Sequence, residues 1–564
     1  MQYPRLLQQI FVSFLLTCLV VTSAIANTVT GVNGAVTSRS AIASEVGVEI
    51  LKQGGNAIDA AVAVGFALAV TYPSAGNIGG GGFMVIKLAN GDVVSLDARE
   101  KAPLAADRDM YLDQDGNVNR RLALRGILSA GVPGSVAGLL DALQRHGTLS
   151  REQVMAPAIK LAEEGFVLNQ DLASQFRQNM QQMRNYPSSI AIFSKDGQSY
   201  EAGDRWIQSE LATTLRLISD QGKDGFYQGE TADLLVAEMR RQNGLITHED
   251  LEKYRTIWRE PIHGTYRGHD IWSMPPSSSG GVVLTQMLNM LEPYNIGAMG
   301  WGSQETVHLM IEAQKRAYAD RAEHLGDADF YPVPVENLVA KSYAHERFAD
   351  FNSAKATPSD DILAGSFPAE STQTTHYSVM DNLGNSVAVT TTLNSGYGNK
   401  IVVSGAGFLL NNEMGDFTPK INTPGGNELI GAEANLIQPE KRMLSSMTPT
   451  IVTLDGQTVL ITGSVGGATI INTVFHVVVN VLDHQMEVDE AVAKPRFHHQ
   501  WQPDSVRAEN GAFADGVLPL LEAMGHLQIR SAGYGIGDAN SIQFDGHTIK
   551  ATSDPRNEGG AAAW

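Results

Sequence analysis

The sequence predicts an α+β chain built from antiparallel hairpins and long helices. Two observations carry this. Runs rich in β-branched residues flank short turn clusters at 381–385 (DNLGN) and at Asp455-Gly456, the mark of a hairpin. Long stretches with helical or continuous apolar spacing surround them, most plainly 54–72 and 306–325. With 564 residues, 43% hydrophobic and 18% charged, the chain has the composition of a globular protein with a sizeable core.

Residues 1–26 are of another kind: Arg5, an apolar core from Ile10 to Val21, and the small-x-small pattern Ala24-Ile25-Ala26 make an export signal, set aside from the fold. The one cysteine, Cys18, lies inside it, so the mature chain is expected to lack disulfides. Leu15-Leu16-Thr17-Cys18 loosely resembles a lipoprotein signal, but Thr17 is bulky for the residue before such a cut and the apolar run continues. No stable membrane anchor is expected. Losing Arg5 takes the formal charge from −20 to −21. So acidic a chain offers no basic patch for nucleic acid or anionic lipid. A periplasmic or secreted protein is expected.

Along the mature chain, 54–72 carries one charge, Asp59, in an alanine-rich apolar run too short after that aspartate to cross a bilayer; a buried helix is predicted. Gly79 to Gly82 turn into a strand, and with no GK[ST] following they point to close backbone packing rather than to a phosphate loop. VVSLDAREKAP reads as a strand ending in Asp97, Arg99 and Glu100, where an arginine ordinarily makes a surface ion pair. Mostly amphipathic helix follows from Leu104 to Tyr254. MPPSSSGG (274–281) is a loop before an apolar helix, and 306–325 is a helix with Val307, Met310, Ile311 and Tyr318 on one face. Residues 352–372, poor in large apolar groups, read as an exposed linker.

The first hairpin follows that linker. Pairing about Leu383 sets Met380 against Ser386 and Thr374 against Thr392, so two hydroxyls lie side by side at its open end. This fits ordinary cross-strand threonine pairing on a solvated face. It also fits a nucleophile hidden in a precursor, because a threonine whose own α-amine is freed by cutting the preceding bond becomes competent to attack. GFLLNNEMGDF then places Glu413 and Asp416 just beyond a strand, before a loop rich in Gly, Pro and Asn of the kind that covers a site. Pairing about Asp455-Gly456 sets Ser445 against Gly466 and Ser446 against Val465. A helical pattern begins directly after Gly467, which puts the amides of Gly466 and Gly467 at a helix N-terminus, a place that favours negative charge. No metal-ligand spacing or cofactor motif is present; His498 and His499 read as ordinary hydrogen-bonded histidines.

Taken in order, GGNAIDAAVA, GGGGF, LDAREKAP, GVPGSVAGL, MPPSSSGG, QTTHYSV, LLNNEMGDF, KRMLSSMTPTIV, GSVGG, PRFHHQW and TSDPR resemble the γ-glutamyltransferases (glutathione hydrolases), a family of N-terminal-nucleophile hydrolases, across essentially the whole mature chain. The resemblance implies a four-layer αββα sandwich with two central antiparallel sheets. It implies self-cleavage between Gln373 and Thr374 into a large subunit (27–373, ending in the linker at about 352–373) and a small catalytic subunit (374–564) that stay together as a heterodimer. It implies that Thr374 attacks the γ-carbonyl of glutathione or another γ-glutamyl compound, that Thr392 holds its hydroxyl, and that the amides of Gly466 and Gly467 form the oxyanion hole. Arg99, Ser445 and Ser446 would bind the substrate α-carboxylate and Asn394, Glu413 and Asp416 its α-ammonium. Water or an amino acid or dipeptide would accept the acyl group, and neither metal nor cofactor is called for. One departure from the family pattern stands out: where many bacterial members carry an aromatic residue in the covering loop, this chain has Asn427 and Glu428. Alternatives are an acylase of the same chemistry for poly-γ-glutamate or glutaryl side chains, and an unprocessed secreted amino-acid-binding protein.

Overall fold

The computed structural model describes residues 27–363, 374–421, 432–533 and 535–564. The expected export signal, Gln373 and the loop positions Asn427 and Glu428 lie outside the described residues. Two seven-stranded antiparallel sheets form the centre. In chain order their strands are β1 (Asn27–Gly31), β2 (Gly34–Ser38), β3 (Gly81–Lys87), β4 (Val93–Ala98), β5 (Ile257–Arg259), β6 (Ile262–Tyr266), β7 (His269–Ser273), β8 (Thr374–Asp381), β9 (Ser386–Thr392), β10 (Thr450–Leu454), β11 (Gln457–Thr462), β12 (Ser541–Phe544), β13 (Ile549–Ser553) and β14 (Gly560–Ala563). The first sheet runs β14-β2-β8-β9-β3-β4-β5 and the second β1-β13-β12-β11-β10-β7-β6.

The period-two alternation of strand side chains explains the layering. Ala35, Val85, Met380 and Ala388 of the first sheet meet Ile451, Ile461, Ile542, Ile549 and Ala551 of the second in one apolar cluster. The alternate residues, Tyr377, Val379, Val387 and Val389 among them, turn outward into a cluster with helix α1 (Ala57–Thr71), α2 (Ser135–His146) and α3 (Arg151–Glu164). Val452 and Leu460 turn outward on the other side toward α4 (Gly280–Leu291), α5 (Gln304–His324) and α6 (Thr469–Leu482). Helix, sheet, sheet, helix: the expected αββα sandwich is what these residues build.

All fifteen residues of α1 are buried, and its one charge is satisfied rather than exposed. Asp59 accepts from the amide of Asn56 in a capping box and from Thr148 and Leu149 across the helix end. The glycine run is packed as expected: a Cβ on Gly79 or Gly80 would lie 2.1 Å from the carbonyl oxygens of Leu409 and Thr392 respectively. Helix α5 differs from an amphipathic surface helix, being buried all round from Thr306 to Ala322. Its charges are paired internally, as Arg316 is with Glu312 at 2.7 Å.

The expected linker is in part no linker. Within residues 352–363 a short turn at Ser359–Asp361 is docked: Ser359 donates its amide to Asp504, and the Trp501 indole donates to the carbonyls of Ser359 and Ile362. Its small polar composition hides this because backbone groups make the attachment. No helix among the described residues is long and apolar enough to cross a membrane.

Candidate active site

The first hairpin has the register read from its turn: Thr374 faces Thr392 and Met380 faces Ser386. Both threonines share strand parity with Met380 and Ala388, so they sit on the face between the two sheets and not on a solvated one. They are 6% and 3% exposed, which argues against the solvated threonine ladder. The frame around them is rigid. The His376 ring bridges Thr390 at 2.9 Å and Ser378 at 3.0 Å, and the Asn77 amide donates to the Thr392 carbonyl at 2.8 Å while its oxygen accepts from Gly80 and Ser135. Burial lowers the His376 pKa to about 3, so the ring is a neutral strut.

Immediately after β9 the chain turns at Asn394, whose φ is +74°. Its backbone amide donates to the Thr392 hydroxyl at 2.7 Å, fixing that oxygen beside Thr374. Its side-chain amide donates to Asp416 at 2.6 Å and to the Asn412 carbonyl at 3.1 Å. Its side-chain oxygen is buried with no partner among the described residues.

Asp416 links this turn to Arg99. The Arg99 guanidinium donates to Asp416 at 2.6 Å, pairs with Glu413 at 2.7 Å and reaches the Met443 carbonyl at 3.3 Å. It is 1% exposed, so the surface ion pair expected at the end of β4 is instead a buried one. Glu413–Asp416 form a short 3-10 turn. What precedes it is a loop with a single bridge, Val402 to Leu409, rather than the strand expected there. Burial, with Glu413 beside it, pushes the Asp416 carboxyl well above the usual range despite Arg99. The pocket thus holds one guanidinium and two carboxyl groups at hydrogen-bond distance, a set that can exchange its internal pairs for the carboxylate and ammonium of one zwitterion.

Ser445 and Ser446 arrive by a route other than the predicted one. A bulge between Val452 and Thr453 shifts the second hairpin by one residue, and its ladder stops at Thr450 and Thr462. Ser445 therefore pairs with Ser278 of the MPPSSSGG loop and not with Gly466: its amide donates to the Ser277 carbonyl and its carbonyl accepts from the Ser279 amide. The two serine hydroxyl oxygens accept from inside the protein, Ser445 from the Met447 amide at 3.1 Å and Ser446 from Arg321 at 3.0 Å. Each keeps its proton to donate to an anion.

Gly466 and Gly467 have φ of +120° and +58°, and a Cβ on Gly466 would lie 2.3 Å from the Thr469 hydroxyl. Their carbonyls receive the first amides of α6, from Thr469 and Ile470, while their own amides make no hydrogen bond among the described residues. Gly466 lines the same cavity as Thr374. Two unengaged amides before a helix N-terminus, next to a hydroxyl, are the equipment of an oxyanion hole.

Thr374, Thr392, Asn394, Asp416, Arg99 and Glu413 are thus joined by strand pairing, hydrogen bonds and ion pairs, Gly466 shares a cavity with Thr374, and Ser445 and Ser446 are held by the MPPSSSGG loop and Arg321. Reading the sequence missed the layer behind them. Asp97 accepts from the Arg99 amide, Arg259 and Ser277 and is ion-paired with Arg442, and although burial opposes it, the two guanidiniums of Arg442 and Arg259 hold its carboxyl below the usual range. Glu100, fully buried beside Arg99, has no hydrogen-bond partner for either oxygen among the described residues, and burial raises it to about 8. Asp97, Glu100 and Asn77 all lie in motifs visible in the sequence, LDAREKAP and NIGGGGF, but the long-range partners that fix two of them, Arg259, Ser277 and Arg442 for Asp97 and Thr392 for Asn77, are more than 150 residues away.

His498 and His499 are hydrogen-bonded as expected, to Asn472 and Gln500 and to Asp504 and the Trp501 amide. His308, Glu312 and His526 do converge, with ligand atoms within 4.8 Å of one another. The two rings already bond each other at 2.8 Å, and Glu312 is paired with Lys315 and Arg316, so a metal cation there would face two positive charges.

Comparison with known proteins gives the family. A glutathione hydrolase proenzyme of Escherichia coli is 48% identical over 526 residues, covering 93% of this chain and 90% of the relative. Among solved structures, a Helicobacter pylori gamma-glutamyltranspeptidase is 48% identical with a TM-score of 0.57 over 57% of this chain and 93% of the other. A cephalosporin acylase from Bacillus halodurans is 27% identical with a TM-score of 0.84, over 95% of this chain and 97% of the other. The family model described as Gamma-glutamyltranspeptidase matches residues 43–564, a span that holds every site residue above, and the chain belongs to that family.

Proposed function

We propose that the chain is cut between Gln373 and Thr374, and that the freed Thr374 transfers γ-glutamyl groups from glutathione and related compounds to water or to an amino acid or dipeptide. The observation that carries this reading is the meeting, around one threonine hydroxyl, of two unengaged amides and a pocket charged for a zwitterion. The Thr374 hydroxyl attacks the γ-carbonyl and its proton passes to the Thr374 α-amine, whose ordinary pKa of ~7.7 to 8.0 leaves it partly free at neutral pH. The oxyanion forms at the Gly466 and Gly467 amides, where one donor is typically worth roughly 3 to 4 kcal/mol. The C–N bond breaks as the leaving amine takes the proton back from the α-ammonium. Water or an acceptor amine then attacks the ester, and Thr374 recovers its hydroxyl.

In the donor pocket Arg99, with the Ser445 and Ser446 hydroxyls, takes the α-carboxylate, and Glu413, Asp416 and the Asn394 oxygen take the α-ammonium. Cutting before Thr374 would not release the halves. β2 to β5 come from before the cut and β8, β9 and β14 from after it, interleaved in one sheet. An acylase of glutaryl side chains shares the fold but has no ammonium to offer the paired carboxylates of Glu413 and Asp416.

The test is Thr374→Ala, which should stay one chain and be inactive toward a γ-glutamyl anilide while wild type shows two bands on a denaturing gel. Splitting of the variant at the same bond without added protease would defeat self-processing. Sequencing the two wild-type bands should return Asn27, within a few residues, for the large and Thr374 for the small; Met1 from exported protein would overturn the export reading.

A further inference from the structure

Thr374 borders a second space besides the donor pocket. A cavity of about 440 Å³ is lined by Thr374 and Gly466 together with Arg39, Arg507 and Arg556. None of the donor-pocket residues is on its described walls, and no carboxylate is.

The three arginines are not equivalent. Arg39 is engaged by Asp538 and the Tyr72 hydroxyl. Arg556 is engaged by Glu509 at 2.6 Å and Asp554 at 3.0 Å. Arg507, on the strand Val506–Ala508, makes no hydrogen bond or ion pair with the described residues. Its partners in register are His498 on one side and another guanidinium, Arg530, on the other. Arg507 is the exposed residue of that strand, open to the cavity, and partial desolvation lowers its pKa. The wall beside the nucleophile therefore carries one surplus, uncommitted positive charge.

We propose that Arg507 binds the carboxylate of the amino acid or dipeptide that enters as acceptor, and of the amine leaving group that precedes it, in this cavity. This rests on the transferase reading above. The amine that departs in acylation and the amine that attacks in transfer traverse the same transition state in opposite directions, so they share one place next to Thr374 and the Gly466 amide. A free amino acid or dipeptide arrives there with a carboxylate and an ammonium. Arg507 answers the first. The described wall carries no carboxylate to pair with the second, which favours the neutral amine needed for attack. In the transfer step the amine nitrogen bonds the acyl carbon, the ester C–O bond breaks, and the proton lost by the amine ends on the Thr374 hydroxyl by way of its α-amine.

The experiment uses processed enzyme, a γ-glutamyl anilide as donor, and two acceptors that differ in one charge, glycylglycine and glycylglycinamide. Wild type should prefer the free carboxylate in kcat/KM for transfer. Arg507→Gln should lose on the order of 10-fold of that preference, chiefly in acceptor KM, and Arg507→Lys should retain part of it. In wild type alone, raising salt to about 0.5 M should shrink the preference by screening the same charge. An unchanged preference in Arg507→Gln, or a wild-type preference indifferent to salt, would overturn the assignment. Release of anilide into water with no preference between acceptors overturns the subsite alone, whereas a wild type that releases no anilide overturns the transferase reading with it.

Discussion

Replacing Asp416 by alanine probes the zwitterion pocket at its most connected carboxylate. Asp416 is bonded at once to Arg99 and to Asn394, both at 2.6 Å, and is itself 7% exposed. Removing it leaves Arg99 held by Glu413 at 2.7 Å, so the carboxylate-binding fork stays in place. What is lost is one of the two anions facing the substrate ammonium. Stripping one partner from a desolvated charge pair costs roughly 2 to 5 kcal/mol. At about 1.4 kcal/mol per factor of ten, kcat/KM for a γ-glutamyl anilide should fall on the order of 30-fold to a few thousand-fold. A glutaryl anilide, which has no ammonium, should be a poor substrate for wild type and should change little or improve with the variant. The pH profile gives a second arm. Because burial and Glu413 raise the Asp416 carboxyl, an ammonium must find it deprotonated, so wild-type kcat/KM for the zwitterionic donor should climb with pH through that ionisation. The climb should be absent with the glutaryl donor. Equal losses on both anilides in properly split Asp416→Ala would refute the reasoning and leave Asp416 a structural residue of its turn.

Two further outcomes are expected. Burial raises the Glu100 carboxyl from its ordinary 4.5 to about 8, so the native state holds an extra proton between them and stability should fall as pH rises from about 4.5 to 8, by about 5 kcal/mol at most. Glu100→Gln should flatten this decline in Tm, and an unchanged slope would show that the carboxyl is not buried neutral. A Cβ on Gly463 would lie 2.3 Å from the His376 ring that braces the Thr374 hairpin. Gly463→Ala should therefore cost roughly 1 to 3 kcal/mol and slow the appearance of the two bands, and a variant that splits and melts like wild type would show the brace to be dispensable.

The hairpin at Thr374 was legible because its register depends on local facts: a five-residue turn and two strands of β-branched residues. The hairpin at Asp455-Gly456 was legible only at its turn. One bulged residue, which no composition announces, moved every pairing beyond Thr453 and handed Ser445 to the MPPSSSGG loop. Arg99 carries the same lesson. Its identity is visible, but burial is not, because the carboxylates that make burial tolerable, Glu413 and Asp416, lie more than three hundred positions along the chain.

By itself the sequence determined the α+β pattern, the buried alanine-rich helix, the pairing of Thr374 with Thr392 and the motif order that resembles one family. Those follow from turn chemistry, side-chain period and local spacing, which act within about twenty residues. The tertiary structure alone decided which face of the hairpin is dry and, among the described residues, that the Asn394 oxygen has no partner, that the Gly466 and Gly467 amides are unengaged, and that Arg507 has no anion beside it. Each of these is a question of which partner a polar group finds, and partners are chosen by how two sheets and their flanking helices close on one another.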